Sequence, residues 1–62
     1  MELIVDDETR KMRHSGSVSA LLKKLGFMRE EVVIKVNGRL APETHQIKAK
    51  DSVEIIQVVF GG

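Results

Sequence analysis

Apolar and polar positions alternate at the start of the chain, with Met1, Leu3 and Val5 on one parity. A period of two belongs to a half-buried strand, so residues 1–6 read as a strand. The cluster Asp6-Asp7-Glu8-Thr9 that follows suits a turn, because short acidic side chains bond to their own backbone and tolerate positive φ. Residues 9–14 form a second, more polar strand with Met12 as its inward anchor, and the short link between the two makes a hairpin. The period then lengthens. Val18, Leu21, Leu22 and Leu25 fall at i, i+3, i+4 and i+7, the stripe of a helix over residues 17–25. Ser17 caps its free N–H groups, and Gly26 supplies the left-handed residue that ends it, with Phe27 folding back on Leu22. Lys23 and Lys24 stand in the last turn, where the helix dipole favours cations.

Residues 32–36 are rich in β-branched side chains and run into Asn37-Gly38, a hairpin-turn dipeptide whose two positions accept positive φ. Arg39 and Leu40 begin a short returning strand that Pro42 curtails, and residues 42–50 are irregular, pinned by Ile47. Asp51-Ser52 turns the chain into residues 53–59, its most apolar strand. The expected core is Met1, Leu3, Val5, Met12, Val18, Leu21, Leu22, Leu25, Ile34, Val36, Leu40, Ile47, Val53, Ile55 and Val59. One helix crossing between a first and a last strand that lie parallel gives an α+β fold: a small mixed sheet with the helix packed on one face, the β-grasp arrangement.

Sixty-two residues hold one domain, residues 1–62. A chain of this length buries only about 60% of the surface its unfolded form exposes. There is no cysteine, so neither a disulfide nor a thiolate-bound metal supplements the core, and the protein cannot carry sulfur on a thiol of its own. Ten basic residues against nine acidic leave a net charge of +1, unlike the lopsided charge of a nucleic-acid binder. Arg10-Lys11-Met12-Arg13-His14 is basic but has no aromatic residue for base stacking, so no nucleic acid is expected as a partner. No apolar run reaches the length of a membrane helix and no signal peptide opens the chain, so a cytoplasmic protein without a membrane partner is expected. His14 and His45 have no companions at metal-ligand spacing and read as structural histidines, with no metal site. Without a nucleophile–base set or a phosphate loop, an enzyme in its own right is not expected.

The chemistry stands at Gly61-Gly62. Two residues without Cβ atoms pass through a narrow channel, and an unhindered carboxylate on Gly62 is suited to activation as an acyl-adenylate in a partner's active site. Residues 60–62 are expected to form a flexible tail. The stretch Ser17-Val18-Ser19-Ala20-Leu21-Leu22, the strand and turn Val33-Ile34-Lys35-Val36-Asn37-Gly38, the lead-in Lys50-Asp51-Ser52-Val53-Glu54-Ile55-Ile56 and Gly61-Gly62 together resemble the ubiquitin-like sulfur carriers of thiamine and molybdopterin biosynthesis and their archaeal modifier relatives. The resemblance covers the whole chain. It implies a carrier that binds no cofactor itself. An ATP-dependent activating enzyme adenylates Gly62, a sulfur donor makes a thiocarboxylate, and an acceptor enzyme such as a thiazole synthase takes the sulfur. It leaves open a modifier joined through Gly62 to lysines, or a non-covalent binding module. Ser52 departs from the glycine or acidic residue such carriers often have there, and Phe60 is bulkier than the small residue common before the diglycine.

Strand parity adds a surface. If Leu3, Ile34, Val36 and Ile55 face the helix, then Ile4, Val33, Ile56 and Val58 face outward, with Phe60 next along the chain. Ile4, Ile56 and Val33 are expected side by side as a patch that docks the activating enzyme while Gly61 and Gly62 enter its site. The free protein is expected to be a monomer.

Overall fold

The computed structural model describes residues 1–58. Seven strands and one α-helix follow in the order β1 (Glu2–Val5), β2 (Glu8–Lys11), β3 (Gly16–Ser17), α1 (Val18–Leu25), β4 (Val32–Val36), β5 (Arg39–Leu40), β6 (Gln46–Ile47) and β7 (Ser52–Gln57), with a 3-10 turn at Arg29–Glu31. The main sheet has the order β2-β1-β7-β4-β5, and β1 runs parallel to β7 while every other pair in it is antiparallel. The expected α+β, β-grasp architecture is present. No helix among the described residues is long and apolar enough to cross a membrane.

Register explains which side chains meet the helix. Leu3, Val53 and Val36 lie in one cross-strand row and Val5, Ile55 and Ile34 in the next. Val18, Leu21 and Leu22 of α1 are buried in the same cluster, and Met1, Met12, Leu25 and Phe27 pack at its margin. The helix ends follow local chemistry. Ser17 Oγ accepts from the Ala20 amide at 3.1 Å, while Gly26, at φ +84°, lets the Phe27 amide reach the Leu22 carbonyl at 2.9 Å. That is the Schellman closure, which satisfies carbonyls the helix leaves free.

Several boundaries differ from expectation. The second strand is Glu8–Lys11 rather than residues 9–14, because the type I′-like turn uses only Asp6 and Asp7, at φ +50° and +65°. Residues 42–50 are not wholly irregular: β6 pairs with β3 as a second, two-stranded sheet. The same segment closes the start of α1, whose Val18 and Ser19 amides donate to the carbonyls of His45 and Glu43, each at 2.9 Å. Leu40 is not core. It is 72% exposed, since β5 is a two-residue edge strand whose register sets Leu40 opposite the outward Lys35. Strand β7 runs from Ser52 to Gln57 rather than over residues 53–59. Val59, expected in the core, and the tail residues Phe60, Gly61 and Gly62 lie outside the described residues.

Candidate functional site

Strand β7 occupies the centre of the sheet, between β1 and β4, and its C-terminal end leads towards the diglycine. Two contacts secure that end. Gln57 Nε2 donates to Asp6 Oδ2 at 3.0 Å, and the Val58 amide donates to the Glu31 carbonyl at 2.9 Å. The β1–β2 turn and the 3-10 turn therefore flank the base of the C-terminal segment. Both are acidic, carrying exposed Asp6, Asp7 and Glu8 on one side and exposed Glu30 and Glu31 on the other. Arg10 pairs with Glu8 at 3.1 Å and Arg29 with Glu43 at 2.8 Å, so the neighbouring cations are engaged locally.

The outward face of the sheet carries the expected apolar residues, in a different arrangement. Val33 and Ile56 stand directly opposite each other on β4 and β7, 37% and 38% exposed, and Val58 continues the line at 39%. Ile4 does not join their row. The parallel register of β1 and β7 sets Ile4 against Glu54, which in turn faces Lys35 on β4. Ile4 is half-buried and lies diagonally from Ile56, one pleat away. The patch is thus Val33, Ile56 and Val58 at the tail end, bordered by a polar step of Glu54 and Lys35. Parity alone predicts which residues face outward; only the offset between strands decides which share a row.

At the opposite end of β7, a polar lock joins two of the sequence marks quoted above. Asn37 Nδ2 donates to Asp51 Oδ1 at 3.0 Å, its Oδ1 accepts from the Ser52 amide at 2.9 Å, and its own amide reaches the Ser52 carbonyl at 2.7 Å. Ser52 Oγ donates to Glu2 Oε1 at 3.2 Å, tying the start of β7 to β1. The Lys48 amide bonds Asp51 Oδ2 at 2.8 Å. That backbone bond, then the Asn37 amide, hold the Asp51 carboxyl below its ordinary value of 3.8, against a smaller opposing effect of burial and with further help from His45 and Lys48. Ser52 is a working part of this lock through its backbone and its hydroxyl.

Both histidines are half-buried, as expected of structural residues. His14 Nε2 lies 3.2 Å from the Ser17 carbonyl, and His45 Nε2 lies 4.0 Å from Asp51 Oδ2. Among the described residues no group of three or more histidine, aspartate or glutamate side chains converges as a metal site would require. The flanking residues Asp6, Gln57 and Glu31 were not marked by sequence reasoning. Asp6 carried a turn signal, but its bond to Gln57 spans 51 positions and has no local signature.

The ThiS family model matches residues 1–62, the whole chain. This chain belongs to the ThiS family. Among solved structures it is similar to the thiamine biosynthesis protein ThiS from Geobacter metallireducens, with a TM-score of 0.67 and 26% identity over 100% of this chain and 99% of that one. The ThiS-family match and the shared architecture fit the sheet order and the crossover helix described above.

Proposed function

We propose that this ThiS-family chain is a sulfur carrier of thiamine biosynthesis that works through the carboxylate of Gly62. The observation that carries the reading is the family match over residues 1–62, a span that includes Gly61-Gly62. In the proposed cycle a Gly62 carboxylate oxygen attacks the α-phosphorus of ATP on a partner enzyme, and pyrophosphate leaves. Hydrosulfide released by the sulfur donor then attacks the acyl carbon, AMP departs with the bonding pair, and loss of the S–H proton to solvent leaves a thiocarboxylate. A thiazole synthase is the proposed consumer of that sulfur. ATP is bound and used by the partner; the carrier supplies the acyl group and the docking surface, and residues 1–62 act as one unit.

The docking surface is the outward patch of Val33, Ile56 and Val58, with Ile4 as its margin beyond Glu54. These apolar side chains sit on the face α1 does not cover, and they run along β4 and β7 to Val58, the last described residue. A contiguous exposed apolar group beside a reacting terminus suits a partner that must grip the body while it holds the tail. In this reading Phe60 contributes to that grip.

The test is mass spectrometry of the protein incubated with its activating enzyme, ATP and a sulfur donor. Replacement of one terminal oxygen by sulfur on Gly62 is the expected result, and deletion of Gly62 should abolish it while leaving the melting temperature nearly unchanged. Branched Gly-Gly conjugates on lysines with no thiocarboxylate would instead identify a protein modifier. A Gly62-deleted protein that is still adenylated would sink the carrier reading.

A further inference from the structure

A second surface, at the other end of β7, has no part in the reading above. Two adjoining concavities of about 500 and 640 Å³ open there and share Met1, Arg13 and Ala49 as lining. Their floor is apolar. Met1 and Met12 exchange backbone bonds, the Met1 nitrogen to the Met12 carbonyl at 2.8 Å and the Met12 amide to the Met1 carbonyl at 3.0 Å, which holds the two side chains next to one another. Their rim is basic. Lys11, Arg13 and Lys50 line the first concavity and Arg13 and Lys24 the second, and none of the four makes an ion pair among the described residues.

Glu2 and Asp51 also line the first concavity and keep their negative charges, so four basic side chains face two carboxylates and the surface stays basic. Asp51 is committed to the Lys48 amide and to Asn37, and Glu2 accepts from Ser52. Lys24 spans from the helix, its Nζ donating to the Arg13 carbonyl at 3.2 Å, and so closes one side of the cleft. The His14 ring is engaged with the Ser17 carbonyl. A surplus of cations beside apolar side chains selects an anionic ligand that also offers something apolar. No phenylalanine, tyrosine or tryptophan lines either concavity, and the one imidazole there, His14, is bonded to the Ser17 carbonyl, so the row of stacking platforms a single-stranded nucleic acid uses is missing. Methionines suit an adaptable apolar contact with a protein side chain.

We infer that the cleft of Met1, Met12 and Ala49, rimmed by Lys11, Arg13, Lys24 and Lys50, is a second docking site that takes an acidic protein segment bearing an apolar side chain. The cleft lies beside Ser52 and the tail follows Gln57, six residues along β7, a separation of about 17 Å at the rise of a strand. The segment therefore binds while the apolar patch and the diglycine are occupied elsewhere. This inference does not depend on the fate of Gly62, so it survives or fails apart from the carrier reading.

The experiment uses the full chain and a fluorescein-labelled peptide of alternating glutamate pairs and single leucines. Polarisation titration should show binding that weakens as salt rises, and NMR spectra of the unaltered chain should show shifts at the Met1 and Met12 methyl groups and at the Met12 and Ala49 amides. Arg13→Glu with Lys50→Glu should weaken binding about tenfold or more, the scale of losing charged contacts at an interface, whereas Ile56→Asp should leave it unchanged. Circular dichroism checks that the double variant is folded, and the shift map on the unaltered chain stands whether or not it is. Equal binding by a peptide with serine in place of leucine would overturn the apolar part of the inference. Tighter binding by oligothymidylate of matched charge, or shifts confined to Val33 and Ile56, would overturn the inference outright.

Discussion

Asn37 has φ +53° and Gly38 φ +81°, the backbone that a two-residue hairpin turn demands. Aspartate tolerates such a turn too, but only an amide can both donate to Asp51 and accept from the Ser52 amide. Asn37→Asp keeps the turn preference and sets a second carboxylate against Asp51. It is expected to cost about 1–2 kcal/mol in urea denaturation, more than Asn37→Gly, which removes the bonds without adding charge. Asp51 gives a pH signature. Its carboxyl is depressed in the folded state, so its contribution is complete above the ordinary value of 3.8 and is lost as pH falls through the lower folded value. Asp51→Asn should therefore be less stable at neutral pH and should flatten the decline below 3.8. Thermal melts of both proteins through that acid window measure the difference; parallel curves would remove Asp51 from the lock.

At the scale of elements, helix α1 is closed at both ends by different means. Its C-terminus is a local device, Gly26 at φ +84° with open space where a Cβ would project. Gly26→Ala therefore costs only the conformational term, about 1–2 kcal/mol by differential scanning calorimetry. Its N-terminus is a tertiary device, with the carbonyls of Glu43 and His45 bonded to the first amides. The buried stripe is the larger contribution: Leu22, 3% exposed, should cost about 2–5 kcal/mol when cut to alanine. The stripe and Gly26 were legible because a helix carries its period and stop signal within one run of residues. Strands β3 and β6 were not legible, since two-residue strands have no period, and Gly16 only takes φ +132° to serve a partner 31 positions away.

Across the whole molecule, charge and apolar surface are divided between the two ends of β7. Exposed carboxylates and the Val33–Ile56–Val58 patch stand at the C-terminal end of β7, and at its N-terminal end four basic side chains outnumber Glu2 and Asp51. Ile56→Asp tests the first end. At 38% exposure Ile56 lies outside the core, so the change should shift folding by no more than about 1 kcal/mol. It should weaken binding of the proposed activating enzyme by at least about 2 kcal/mol, the scale of an interface hot spot. Calorimetry on the free chain and a titration with the enzyme read the two effects separately. A variant that unfolds would place Ile56 in the core; one that folds and binds normally would remove the patch from the mechanism.

The sequence by itself determined the helix, the Asn37-Gly38 hairpin, the parity of the long strands and the place of the diglycine, because each depends on residues near one another along the chain. It marked Leu3, Ile34, Val36, Val53 and Ile55 as one face, and all five are buried. Tertiary structure alone decided which outward residues touch, because the parallel offset between β1 and β7 set Ile4 beside Glu54 instead of Ile56. It also decided that Leu40 is exposed, where an apolar residue on an edge strand lost its expected cover. The basic cleft belongs to the same class: Lys11, Arg13, Lys24 and Lys50 are scattered along the chain, and only the sheet and its crossover helix gather them around the methionines. Periodicity records which side of an element a residue faces; the register between elements distant in sequence is set by packing the whole core at once.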